Sequence, residues 1–292
     1  MTLAAMMAAG CAAASPPTVG LSGSSPTLQR VLFIRGGAGT VGFLHTGSDA
    51  DLSDIADLTT GQNSYGYGHL ALLLNANQFE VSELIEGPKT DNRPVDLQTA
   101  NLAQYAVVVF GSNNAKYSAA DAQLVGDYVK AGGSVLFNSD ANWGSNWHAA
   151  PDSDQTFLTQ FGLTEGQDNT QTVSVHRDQF SSPTHPILAG VNAITTLGVS
   201  YCTVTGPTYH PQVLIPATTT VRNNDSPNDA DHGTDRAPTA ADGTLVVLQA
   251  GLGRVACFFD RDPFFNTQLD RTDADHAKLA TNLFGWLAKR SG

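Results

Sequence analysis

Charge and cysteine are what this 292-residue sequence has least of. Charged residues make up 14% of it, and 15 Lys+Arg stand against 27 Asp+Glu for a formal net charge of −12. No basic run offsets that field. It repels phosphate backbones and so argues against nucleic acid as a partner. The three cysteines, Cys11, Cys202 and Cys257, are too few for a disulfide framework, and the lack of any C-x-x-C pair argues against a structural zinc site. Cys202 and Cys257 sit in strand-like apolar runs and read as buried core thiols; a disulfide between them is the alternative that sequence leaves open. No run approaches the ~20 apolar residues of a membrane-spanning helix. What is abundant is uncharged: hydrophobic residues reach 41%, the level of a globular chain, with room for one large α/β domain or two small ones.

The first residues stand apart. "MTLAAMMAAGC" is followed by "AAASPPTVGLSGSSPT", a tether of small residues and proline. The Ala-Ala-Gly-Cys end resembles a bacterial lipoprotein signal, in which Cys11 carries the lipid. It lacks a basic stretch and is short, as a start codon assigned too late would produce. An unstructured N-terminus is the competing reading. The expected organisation is a signal-like segment and tether over 1–29 and a single domain over 30–292. The expected location is extracytoplasmic, with attachment to a membrane through Cys11.

Beyond the tether, strand and helix patterns alternate. Strand-like runs cover 30–34, 79–84, 105–111, 133–138, 172–176, 212–217, 244–250 and 254–259. Helices are expected over 68–77, 118–133 and about 273–289. The second opens on Ser118 with Asp121 three positions on, a capping-box pair, and closes at Gly132-Gly133. The third has acidic residues at its start and Lys289-Arg290 at its end, each suiting the helix dipole. Unbroken apolar strands alternating with helices imply an α/β fold with a mostly parallel central sheet and helices on both faces. The strands at 30–34, 105–111, 133–138 and 254–259 should lie side by side at its centre.

"VLFIRGGAGTVGF" (31–43) contains Gly37, Gly39 and Gly42 in the spacing of a dinucleotide-binding turn. That turn needs a helix at once, to point its N-terminus at the pyrophosphate. Here no helix pattern begins before about Gly68. Glu83 and Glu86, the acidic candidates, lie about 40 residues downstream, twice the usual distance. No nicotinamide, flavin or other cofactor is expected. The glycines instead let backbone fold closely over the strand's end.

The order of segments is familiar. "VLFI", "YAVVVFGSNN", a capped helix and "AGGSVLFNSDANWG" resemble the class I glutamine-amidotransferase-like superfamily. "HPILAGV" (185–191) and "GLGRVACFFDRDPFFN…DHAKLATNLFGWLA" are similar to its non-glutaminase, trehalose-utilisation-like branch. The resemblance covers about residues 30–290. It implies a flavodoxin-like sheet with a pocket at the carboxyl ends of its strands. In glutaminases a Cys occupies the strand-to-helix turn that matches "LFNSDAN"; this chain has Ser139 there, followed by Asp140. Where glutaminases carry His-x-Glu after the last strand, it has Asp260-Arg261-Asp262. With neither thiolate nor imidazole in place, the nucleophile–base arrangement is broken, and glutaminase activity is not expected.

The candidate catalytic residues are therefore Asp140, Asp260, Asp262 and Ser139. Ser139 is a nucleophile or a helix cap. The carboxylates meet at one pocket if the resemblance holds, for acid–base work on a sugar or for ligand contact, unless Arg261 ties them into a structural network. Candidate ligand-binding residues are Arg35, Gly36 and Gly37 with His45 in the glycine loop, His69 at a helix start, Ser112 and Asn113 after the second central strand, Trp143 and His148 in "NWGSNWH", and Arg261. Indoles beside amides suit stacking on sugar rings, or else a loop packed down by its tryptophans. The acidic loop 223–235 has oxygen ligands, but its spacing is out of phase with an EF-hand; no metal is expected in the site. Two functions follow: an exported domain that binds a small polar, carbohydrate-derived ligand, or a carbohydrate-active hydrolase using Asp140 with Asp260 or Asp262.

Overall fold

The structure, a computed structural model, describes residues 28–37, 52–61, 64–88, 91, 93–111, 113, 115–138, 154–166, 172–197, 199–221 and 235–290. Alternating apolar character builds the first half: β1 (Gln29–Arg35), α1 (Gly68–Ala76), β2 (Phe79–Ile85), β3 (Val107–Phe110), α2 (Ala119–Lys130) and β4 (Ser134–Phe137). The second half carries α3 (Gln155–Leu158), β5 (Leu163–Glu165), β6 (Thr172–His176), β7 (Ala193–Leu197), β8 (Cys202–Val204) and β9 (Gln212–Pro216). It closes with β10 (Asp242–Ala250), β11 (Gly253–Phe258), α4 (Asn266–Leu269) and α5 (His276–Leu287).

The expected centre is present: β1, β3, β4 and β11 are neighbours, each pair parallel, and β2 flanks β1 in the order β2-β1-β3-β4-β11. This is the flavodoxin-like order, with β10 added antiparallel to β11. Side chains alternate between two cores. Val31, Phe33, Val107, Val109, Leu136 and Phe258 pack under α1 and α5, while Leu32, Ile34, Val108, Phe110, Val135 and Phe137 pack under α2 and α3. Burial on both faces is why these strands read as unbroken apolar runs. The capping box of α2 forms as read: Ser118 Oγ accepts the Asp121 N–H at 3.2 Å, and the Asp121 carboxylate accepts the Ser118 N–H at 2.9 Å.

Cys202 and Cys257 are buried free thiols. Burial, with Cys202 beside it, pushes the Cys257 thiol well above its ordinary pKa. The last helix starts at His276 rather than about 273; Asp275 occupies its N-cap position, but its carboxylate accepts the Asn192 and Ala193 N–H groups (2.6 and 3.2 Å) instead of capping α5. Those bonds tie β7, half of the separate β6–β7 hairpin, to the body. Short β8 pairs with Asp242 and Gly243 of β10, just past the stretch that β11 pairs with, and β5 pairs with β8. Ser200 N–H meets the Phe259 carbonyl at 3.1 Å, so this pair continues the sheet beyond the carboxyl end of β11.

Candidate functional site

In this strand order the chain leaves β1 for β2 on one side and returns to β3 on the other. The carboxyl ends of β1 and β3 therefore form the switch point where open α/β sheets gather ligands. Arg35 ends β1 with its side chain 2% exposed. Its Nε and Nη2 meet the Glu83 carboxylate at 2.8 and 3.2 Å, and Nη2 lies 3.3 Å from Asp54 Oδ2. Gly36 lends its carbonyl to Arg35 Nη1 at 3.3 Å. A Cβ on Gly37 would stand 2.5 Å from the Glu86 carbonyl oxygen, so only glycine lets these backbones approach.

Glu86, which follows β2, is buried. Its carboxylate accepts the Ala115 N–H at 2.9 Å and the Tyr117 hydroxyl at 2.8 Å. Burial raises the Tyr117 pKa, and the Glu86 charge and hydrogen bond raise it further, so the phenol stays a donor. Asn113, beyond β3, donates from Nδ2 to Asp154 Oδ1 at 2.8 Å; both side chains are buried.

Asn138 ends β4. Its Nδ2 donates to the carbonyls of Phe258 (2.7 Å) and Asp260 (3.1 Å), and its Oδ1 accepts the Tyr67 hydroxyl at 2.7 Å. At the end of β11, Asp260 is fully buried: Oδ2 accepts the Leu197 N–H and Oδ1 the Asp262 N–H, both at 2.7 Å. Arg261 is buried, and its carbonyl also receives the Tyr67 hydroxyl at 3.3 Å. Asp262 opens a 3-10 turn over Asp262–Phe264 and is 9% exposed. Burial first, then the Asp262 charge, raises the pKa of Tyr65, which marks that phenol as its neighbour.

The structure thus brings Asp260, Arg261 and Asp262 together at β11, sets Arg35, Gly36 and Gly37 at β1, and places Asn113 at β3. His69 lies in the first turn of α1, where Nδ1 is 2.7 Å from Asp270 Oδ2 and its N–H donates to Asn266 Oδ1 at 2.8 Å. Ser139, Asp140, Trp143, His148, His45, Ser112 and residues 223–234 of the acidic loop lie outside the described residues. Sequence reasoning passed over Tyr67, Asn138 and Asp154, and weighed Glu86 only as the acidic partner of a dinucleotide turn. Asn138 carried a signal: it is the polar residue that ends the apolar run "SVLF". Among the described residues, no three His, Cys, Asp or Glu side chains are grouped to hold a metal ion. The site is a frame of buried amides, phenols and carboxylates fixed largely by backbone groups, with acidic side chains in excess.

No protein-family model matches this chain, and no curated protein matches it. Solved structures share its fold. It is similar to the mmIFT52 N-terminal domain at 15% identity and a TM-score of 0.54, covering 90% of this chain and 98% of that one. Against Cytoplasmic Protein STM1381 from Salmonella typhimurium LT2 the identity is 16% and the TM-score 0.51, covering 89% and 99%. A ThuA-like protein from Parabacteroides merdae follows at 14% and 0.42, covering 89% and 90%. At these identities the first two likenesses are ones of fold.

Proposed function

We propose that this chain is an amidotransferase-like domain of the trehalose-utilisation-like type, without glutaminase activity. It binds a small polar, carbohydrate-derived ligand at the carboxyl ends of β1, β3, β4 and β11. The observation that carries this reading is the state of Asp260: fully buried, with both carboxylate oxygens accepting backbone N–H groups. A general acid or base must exchange its proton with a reacting group, whereas a fully buried carboxylate that holds backbone N–H groups on both oxygens shapes the rim around it. Ser139 at the position of the glutaminase thiol supports the same conclusion. The excess of acidic over basic side chains at these strand ends favours neutral, hydroxyl-rich ligands or cations over phosphates.

Thermal-shift screening against neutral sugars, sugar phosphates and divalent ions tests this, because a ligand that binds only the native state raises the melting temperature. A neutral sugar should raise it and come back chemically unchanged, and glutamine should release no ammonia. Cleavage of a glycoside, lost in Asp140→Asn, would replace binding by the hydrolase. The export proposal has its own test. With an upstream start restored, Cys11→Ser should release the protein from the membrane fraction.

A further inference from the structure

The proposed ligand site lies at the carboxyl ends of the parallel strands, and a group of basic residues of this acidic chain lies at the opposite end of the sheet. Arg30, Lys130, Arg254, Lys289 and Arg290, five of the 15 Lys+Arg, gather where the parallel strands begin. Hydrogen bonds join the segments that carry them. Ala106 N–H donates to the Arg30 carbonyl (2.8 Å), Arg254 N–H to Ser134 Oγ (3.3 Å) and Leu252 N–H to the Lys130 carbonyl (3.1 Å). Lys289 Nζ donates to the Gly132 carbonyl, and Arg290 Nε to Gln29 Oε1 at 2.6 Å. Two acidic partners are near, Glu80 at 3.7 Å from Arg30 and Asp127 at 3.6 Å from Lys130, which leaves an excess of positive charge. Burial lowers the Lys289 pKa and the Arg254 charge lowers it further, as expected where cations crowd one another.

Two exposed leucines share this end. Leu252 is 71% exposed on the turn between β10 and β11, beside Gly251 (φ +62°), and Leu28 is 49% exposed directly before β1. Residues 1–27, which include the apolar "MTLAAMMAAGC", join the fold at Leu28. Isolated exposed leucines are ordinary on a protein surface; leucines at the same end of a sheet as a group of Lys and Arg fit a lipid–water boundary.

We infer that this end of the molecule docks on an anionic phospholipid bilayer, with Leu252 and Leu28 entering the boundary, the exposed Lys130 and Lys289 over the headgroups, and Arg30, Arg254 and Arg290, held within the fold against Tyr105, Trp286 and Phe79, adding to the positive field. The ligand site then faces away from the membrane.

The test is sedimentation of the unlipidated full chain with vesicles of phosphatidylcholine, alone or mixed with phosphatidylglycerol. Binding should appear with the mixture and vanish near 1 M salt, where the screening length is about 3 Å. Lys130→Glu combined with Lys289→Asn should weaken binding at least about tenfold, since each basic residue contributes about fivefold. Asn suits the left-handed backbone that Lys289 adopts (φ +58°). Leu252→Ser, on the open turn, should weaken binding several-fold with the melting temperature unchanged. Equal binding to both vesicles, no binding, or undiminished binding by these variants overturns the inference; the last outcome would assign the membrane contact to residues 1–27 alone.

Discussion

The hydroxyl of Tyr67 stands 2.7 Å from Asn138 Oδ1, joining residues 71 positions apart in one buried hydrogen bond. Tyr67 leads into α1 and Asn138 ends β4, and the Asn138 amide goes on to two carbonyls at the end of β11. Three elements at the site therefore hold their relative positions through a single amide. Asn138→Leu keeps the volume but removes the donor of two carbonyls and leaves the Tyr67 phenol with the longer bond to the Arg261 carbonyl. It should cost about 2–4 kcal/mol, since each buried group left unpaired costs about 1–3 kcal/mol. Urea unfolding reads this directly; a loss below the reading error would mean that water replaces the amide.

Asp260 does the same for the β6–β7 hairpin. In Asp260→Asn one of the two facing N–H groups, of Leu197 or Asp262, meets a donor. The expected loss is about 1–3 kcal/mol, with faster hydrogen exchange at the Leu197 amide. Unchanged exchange at Leu197 would contradict this role.

Gly37→Ala places a Cβ 2.5 Å from the Glu86 carbonyl oxygen and 3.0 Å from Gly87. Backbone must move, so the variant should lose about 1–3 kcal/mol, the range for overpacking. A neutral effect would mean that the glycine serves the ligand rather than the packing.

His276 gives stability a pH dependence. The ring is buried, with Nδ1 2.8 Å from the Gln268 carbonyl and Nε2 accepting the Thr195 N–H at 3.0 Å, which fixes the neutral tautomer. Burial lowers its pKa from 6.5, with the Arg271 charge adding to the shift and the Gln268 hydrogen bond opposing it. The unfolded chain thus takes up this proton at a higher pH than the folded one. Stability from the neutral ring is complete above about pH 6.5 and falls as the pH drops below it. His185, lowered by burial and by Arg254, acts in the same direction. Unfolding free energy should be flat near pH 8 and decline toward pH 5, by at most about 1.4 kcal/mol per pH unit for each histidine. In His276→Gln the decline should shrink; an equal slope would remove His276 from the explanation.

Much of the architecture was legible because strands buried on both faces show as apolar runs, and because the Ser118–Asp121 cap is a local pattern. Strands β5 and β8 were not: three residues are too few to establish a period, and both exist through pairing with each other and with β10. The start of α5 was placed about three residues early because Asp273 and Asp275 were both read as first-turn charges; Asp273 instead pairs with Arg271, and the Asp275 carboxylate serves residues 82 and 83 positions earlier. In the site, Arg35 stood out as the charged residue that ends the first apolar run, Gly37 through the G-x-G-x-x-G spacing, and Asp260–Asp262 through the resemblance to the segment that follows the last strand in glutaminases. Glu86 and Asp154 did not, since the groups they hold, Ala115, Tyr117 and Asn113, lie 29 to 41 positions away.

The central claim is that ligand binds at the carboxyl ends of β1, β3, β4 and β11. Hydrogen–deuterium exchange, measured with and without the neutral sugar that gives the largest thermal shift, tests it most directly. The account predicts added protection at residues 35–37, 111–113, 138 and 260–262. It predicts none in the surface groove between Leu97, Tyr105 and Tyr128. Protection confined to that groove, with the strand ends unchanged, would contradict it.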